Sequence, residues 1–107
     1  MKIANQVHAR NARIIVCTLT PRIGFKLLKF TAEMEALRIR INEWMRTCGY
    51  FDEVFDMDAV IRDSKHPNVI DERYHIGDHL HPNSVGGQKI ADEFNLDQLI
   101  GRKDESQ

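Results

Sequence analysis

Serine is scarce in this chain: only Ser64, Ser84 and Ser106 occur among 107 residues. Cysteine is scarcer still. Cys17 and Cys48 have neither metal-ligand spacing nor the density of a disulfide framework, so free, partly buried thiols are expected. No charge of one sign dominates. With 15 Lys and Arg against 16 Asp and Glu, the net charge of -1 gives no long-range pull toward nucleic acid or an anionic membrane surface. No apolar run approaches the roughly 20 residues that span a bilayer. The opening Met1-Lys2-Ile3-Ala4-Asn5-Gln6 lacks the apolar core of a signal peptide. That leaves the compartment unknown: cytoplasmic by default, with secretion open to a longer parent. No linker or low-complexity tract divides the chain. The two His-Pro-Asn triplets at 66–68 and 81–83 are too short to count as a repeat. One domain over residues 1–100 and a disordered, charged tail at 101–107 are expected.

What is there reads as an ordinary globular composition, 42% hydrophobic and 29% charged. At this length roughly two thirds of the unfolded surface can be buried. Residues 3–11 are mixed and suit the end of a helix. Ile14-Ile15-Val16-Cys17-Thr18-Leu19 is a continuous apolar, β-branched run closed by Thr20-Pro21, the pattern of a parallel strand covered on both faces. Thr31 is a fair helix N-cap, with Glu33 and Glu35 where the helix dipole favours negative charge. Met34, Leu37, Ile41, Trp44, Met45 and Cys48 then recur at steps of three and four, predicting one stripe against a core, with Gly49 as the stop. Arg38, Arg40 and Arg46 alternate with Glu35 and Glu43 and read as a solvated face. Val54-Phe55-Asp56-Met57 predicts a second strand, which makes a βαβ unit and an α/β fold. A polar loop over 63–77 and a last helix over about 84–94, with Ile90, Ala91 and Phe94 inward, complete the order.

Between that loop and that helix stands Gly77-Asp78-His79-Leu80-His81-Pro82-Asn83. Asp78 and His81 lie three residues apart on a turn bounded by Gly77 and Pro82. A carboxylate there can fold back on one imidazole nitrogen and leave the other to take a proton from a serine hydroxyl. The element order puts this turn beyond the carboxyl ends of the strands, where open α/β sheets bind ligands. Thr20, Pro21 and Arg22 are expected at the same rim.

Val16-Cys17-Thr18-Leu19-Thr20-Pro21, Glu35-Ala36-Leu37-Arg38, Asn42-Glu43-Trp44, the acidic stretch 52–58, and the Asp-His block with Gly86 together resemble the C-terminal part of an SGNH hydrolase, the GDSL-type esterases and acylhydrolases. The resemblance covers about residues 12–99. It implies a partial flavodoxin-like three-layer fold, namely the last βαβ unit plus a C-terminal helix. It also implies ester hydrolysis through a serine acyl-enzyme, with Asp78 and His81 as the catalytic acid and base. The implied substrates are carbohydrate or lipid acyl esters, with no cofactor and no metal.

The departure is the nucleophile. The family's Gly-Asp-Ser block, oxyanion glycine and Gly-x-Asn-Asp block would precede the strand at 14–19, and the sequence contains none of them. Ser64 follows Asp63 in a loop, Ser84 suits a helix cap, and Ser106 is in the tail; none has the frame of a nucleophile turn. The expectation is a C-terminal piece of a longer enzyme, inactive alone, marginally stable or self-associating through the strand at 14–19, or complemented by the absent half. The alternative is a non-catalytic interaction or remnant protein. Two local rivals stand beside it: a hydrogen bond that merely braces the turn, and a metal site built from His75, Asp78, His79 and His81. Asp56 and Asp58 are expected either at the site's rim or in local caps and pairs.

Overall fold

Helix α1 (Lys2–Ala9) ends at Arg10, and Asn11 follows with a φ of 57°, a left-handed conformation that asparagine tolerates. Strand β1 (Ile15–Cys17) leads through a long connection to helix α2 (Ala32–Thr47) and strand β2 (Glu53–Phe55). The strands pair in parallel, with Ile15, Val16 and Cys17 opposite Glu53, Val54 and Phe55. Helices α3 (Met57–Ile61), α4 (Ser84–Glu93) and α5 (Leu96–Leu99) follow. This computed structural model describes residues 1–99, so the stretch expected to be a disordered tail lies outside the described residues. The chain is a mixed helix-and-strand protein built on one βαβ unit, with a two-stranded parallel sheet among the described residues. None of its described helices is long and apolar enough to cross a membrane.

Local chemistry sets these boundaries. The Thr31 hydroxyl accepts the Met34 N–H at 3.1 Å to start α2, and Gly49 at φ 78° follows its end. Strand β1 is shorter than the apolar run, and side chains take the Ile14 N–H and both backbone groups of Leu19 at its two ends. Asp52 accepts the Ile14 N–H at 2.7 Å, and Asn42 both accepts from Leu19 N–H at 2.7 Å and donates to its carbonyl at 2.8 Å. Asp52 also takes His8 Nε2 at 2.8 Å, fastening α1 beside the start of the sheet.

Helix α2 is turned the opposite way from its hydrophobic periodicity. Of the predicted inward stripe only Met45 is buried; Leu37 and Trp44 are 52% and 45% exposed, and Ile41 is also open. The buried face is Glu35, Arg38, Asn42 and Met45, so the reading of Glu35 and Arg38 as solvated is overturned, while Arg40 and Glu43 are exposed. The cause is a buried polar network that only this rotation can satisfy. Arg38 pairs with Glu35, donates to Asp58 at 2.8 Å and reaches the Leu19 carbonyl at 2.9 Å. Those pairings outweigh burial and raise the guanidinium's pKa above its ordinary value. The apolar core is correspondingly small: Ala4, Met45, Phe55, Ile61 and Ile70, with Pro21 fully buried.

Three smaller expectations also change. Ile15 and Cys17 are exposed, so β1 is not covered on both faces and only the Cys48 thiol is partly buried. Ala91 is exposed, whereas Phe94, still 42% open, meets Phe55 edge-on at 5.0 Å. The α4 cap is Asn83, and Ser84 is the first helical residue.

Candidate functional site

A short hairpin carries the site. Ile76 N–H donates to the His81 carbonyl at 3.0 Å and Asn83 N–H to the Tyr74 carbonyl at 2.9 Å, so residues 77–80 form the turn between them. Asn83 binds the hairpin to α4. Its Oδ1 accepts the Gly86 N–H at 2.8 Å while its Nδ2 donates to the carbonyls of Arg73 and His75, each at 3.0 Å. Gly86 lies so close to the hairpin that a Cβ there would sit 2.2 Å from the Tyr74 carbonyl oxygen.

Within the turn, Asp78 Oδ1 accepts the backbone N–H groups of Leu80 and His81, each at 2.9 Å, in the local loop-back that aspartate favours in turns. Its Oδ2 meets His81 Nδ1 at 2.5 Å. The hydrogen bond from the His81 side chain, helped by the two backbone N–H groups, holds the Asp78 carboxyl well below the usual carboxylate range. An ionised carboxylate only accepts, so Nδ1 carries the shared proton and Nε2 is the nitrogen left to accept another. The His81 side chain is 63% exposed, and among the described residues no side chain hydrogen-bonds to its Nε2.

The segment leaving the carboxyl end of β1 packs directly on this turn. Gly24, at φ 100°, lies under the His79 ring, where a Cβ would come within 2.7 Å of Cγ. The Phe25 ring meets His81 edge-on, with centroids 6.4 Å apart. Together they enclose a recess of about 390 Å³, with Gly24, Phe25 and Leu27 on one wall and Gly77, Asp78 and His81 on the other. Thr20, Pro21 and Arg22 do not line it: Pro21 is buried and Arg22 faces a separate groove with Leu19 and Met34. A larger recess, about 460 Å³, lies between β2 and α4. Its Lys89 and Glu93 pair with each other, its Asp56 is engaged by Arg46 and its Glu53 lies 3.7 Å from Arg13, so the charged groups of this recess are each already paired.

The carboxylates after β2 are structural. Asp56 caps α3 by accepting the Ala59 N–H and takes Arg46 through two contacts of 2.8 Å. Burial works against its charge, but Arg46 and the Thr18 hydroxyl outweigh it and keep the carboxyl below its ordinary range. Asp58 is buried under Arg38, Arg46 and Arg62. Thr18 links the two, donating to Asp56 at 2.8 Å and accepting the Asp58 N–H at 2.9 Å.

Compared with protein-family models the chain matches none, and no curated protein is significantly similar to it.

The four residues of the metal reading separate into two pairs. Asp78 holds His81, while His75 and His79 stack on each other with ring centroids 4.5 Å apart. Among the described residues no group of three or more His, Cys, Asp or Glu is arranged to hold a metal ion. Ser64 and Ser84 are exposed and neither hydrogen-bonds His81; Ser106 lies outside the described residues. Sequence reasoning missed Gly24 and Phe25, and it named His75 only as a metal-ligand candidate and Asn83 only as the end of the Asp-His block, not as an acceptor for backbone N–H groups and a helix cap. Only Asn83 carried a local signal, a cap residue immediately before a helix.

Proposed function

We propose that this chain is the C-terminal portion of an SGNH-type serine ester hydrolase, contributing Asp78 and His81 to a triad whose serine comes from another stretch of polypeptide, in the same chain or a second one. Asp78 fixes the imidazole with Nδ1 protonated. His81 Nε2 then takes the proton from the serine hydroxyl as its oxygen attacks the ester carbonyl, and returns it to the departing alcohol. Water repeats the sequence on the acyl-enzyme and regenerates the serine. The substrate class is a carbohydrate or lipid acyl ester. The proposed fold is the last βαβ unit of a flavodoxin-like three-layer domain.

The observation that carries this reading is the 2.5 Å Asp78–His81 contact beneath an open imidazole edge, facing the segment that leaves β1. The outer edges of the two-stranded sheet, unpaired among the described residues, and the open apolar face of α2 support it, because both are surfaces on which further polypeptide can pair or pack. Without the serine and its oxyanion donors, whose individual removal costs about 100- to 1000-fold in rate, the chain alone has no useful esterase activity. The second reading, a non-catalytic interaction or remnant protein in which the pair braces the turn, rests on the lack of any hydroxyl on His81 Nε2 among the described residues.

The test supplies a segment bearing a Gly-Asp-Ser block, fused or in trans, and assays a p-nitrophenyl ester. Activity that falls by roughly 1000-fold or more in His81→Ala supports the hydrolase. An active assembly in which His81→Ala is as fast as the parent refutes the role given to His81.

A further inference from the structure

His75 is the one histidine that is buried, at 8% exposure, and the proton transfer proposed above makes no use of it. Its Nδ1 points back into its own turn. The Gly77 N–H donates to it at 3.0 Å and the His79 N–H at 3.3 Å, so this nitrogen is an acceptor and its proton is carried on Nε2. The same ring lies against His79, tilted by 35°. His79 itself sits in the left-handed region, at φ 60°, an uncommon conformation for a residue with a side chain. Gly77, at φ 107°, is bent on the other side of Asp78. The two backbone N–H groups that His75 takes therefore flank Asp78 directly and fix the two residues whose backbone angles aim its carboxylate.

We propose that His75 is a positioning residue for the Asp78–His81 pair. Its imidazole serves as an internal acceptor that holds the 77–79 backbone in the bent form, and so presents Asp78 Oδ2 to His81 Nδ1. In the hydrolase reading, on which the functional consequence rests, loss of that acceptor lowers turnover without changing substrate binding. His75 touches neither substrate nor reacting atoms and acts only through the turn. His79 is the second part of the device, since its ring is trapped between His75 and Gly24.

The test needs no activity and uses the full chain. Nitrogen-15 spectra read through the carbon-bound ring protons should show His75 with Nδ1 unprotonated and Nε2 protonated. A protonated Nδ1 overturns the proposal before any variant is made. His75→Phe keeps a flat ring against His79 but removes the acceptor. Amide exchange at Gly77 and His79 should then rise by about tenfold, and His81 should lose its single tautomer. His75→Asn, which offers an amide oxygen in place of Nδ1, should recover part of both. A folded His75→Phe protein with unchanged exchange and an unchanged His81 tautomer also overturns it. These signals are independent of ester hydrolysis. An inactive complemented enzyme with the signals intact counts against the hydrolase and leaves the positioning role standing.

Discussion

Arg38→Met is the substitution with the most to say about how this small domain holds together. Arg38 is 4% exposed and is the only partner within hydrogen-bond reach of the buried Glu35 carboxylate among the described residues. Methionine fills much of its volume but leaves Glu35 buried beside an apolar chain. Asp58 is affected less, since it keeps Arg46 and Arg62 at 3.1 Å. Breaking a buried pair in this way costs about 3–5 kcal/mol. A domain of this size is stable by only roughly 5–15 kcal/mol, so the variant is largely unfolded at modest denaturant concentrations. Glu35→Leu combined with Arg38→Met removes both charges and should recover most of that loss, because apolar replacement of a buried pair is often close to neutral. Urea unfolding of the parent, both single variants and the double variant gives the coupling directly. A single Arg38→Met change that costs under about 1 kcal/mol, or a double variant no better than the single, would refute the buried network as the reason for the orientation of α2.

Three further outcomes follow from the same geometry. Gly86→Ala sets a Cβ against the Tyr74 carbonyl and should cost about 1–3 kcal/mol or more, lowering Tm by roughly 4–8 °C for each kcal/mol; an unchanged Tm would mean that α4 and the hairpin are not in contact. Asp78 has its folded-state pKa lowered by His81, so its contribution is complete above the unfolded value near 4 and is lost as pH falls through the lower folded value. Thermal melts between pH 5 and pH 2 should therefore fall more steeply for the parent than for Asp78→Asn, and identical slopes would count against the pair. Trp44→Lys should cost about 0.5–1.5 kcal/mol or more, because the half-buried indole meets the Phe51 ring edge-on at 5.8 Å and the Tyr50 ring at 6.3 Å; an unchanged Tm would mean that this aromatic cluster contributes nothing.

The fold was legible where a residue's chemistry acts locally. Thr31, Gly49 and the apolar run at 14–19 each announce themselves within a few residues, and the Asp78–His81 spacing does the same; of the strand expected at 54–57 only Val54 and Phe55 are in β2, because Asp56 caps α3 and Met57 begins it. The inward face of α2 was not legible, because it is decided by Asp58 and the Leu19 carbonyl, 20 and 19 residues away in sequence from Arg38. A hydrophobic period counts apolar residues and is blind to a buried ion pair. Gly24, and the role of His75, stayed hidden for a related reason: one is needed because a ring from a distant turn lies on it, the other serves backbone donors instead of the metal its neighbouring histidines suggested.

The inverted helix also bears on what must cover it. Leu37 and Ile41 stand with Leu19, Phe30 and Met34 around a shallow groove of about 170 Å³, Trp44 lies half-exposed further along α2, and β1 has an outer edge that is unpaired among the described residues. Completing the burial of three half-open side chains yields roughly 1 kcal/mol each, about 3 kcal/mol per face. Two copies meeting face to face would gain about 6 kcal/mol, against an association cost of roughly 4–15 kcal/mol. Apolar contact alone therefore gives only weak self-association, and a tight partner must also add a strand to β1. Sedimentation across a concentration series should show reversible, weak association that Leu37→Glu with Ile41→Lys abolishes at unchanged Tm. A tight dimer insensitive to those changes would mean that the covering surface lies elsewhere.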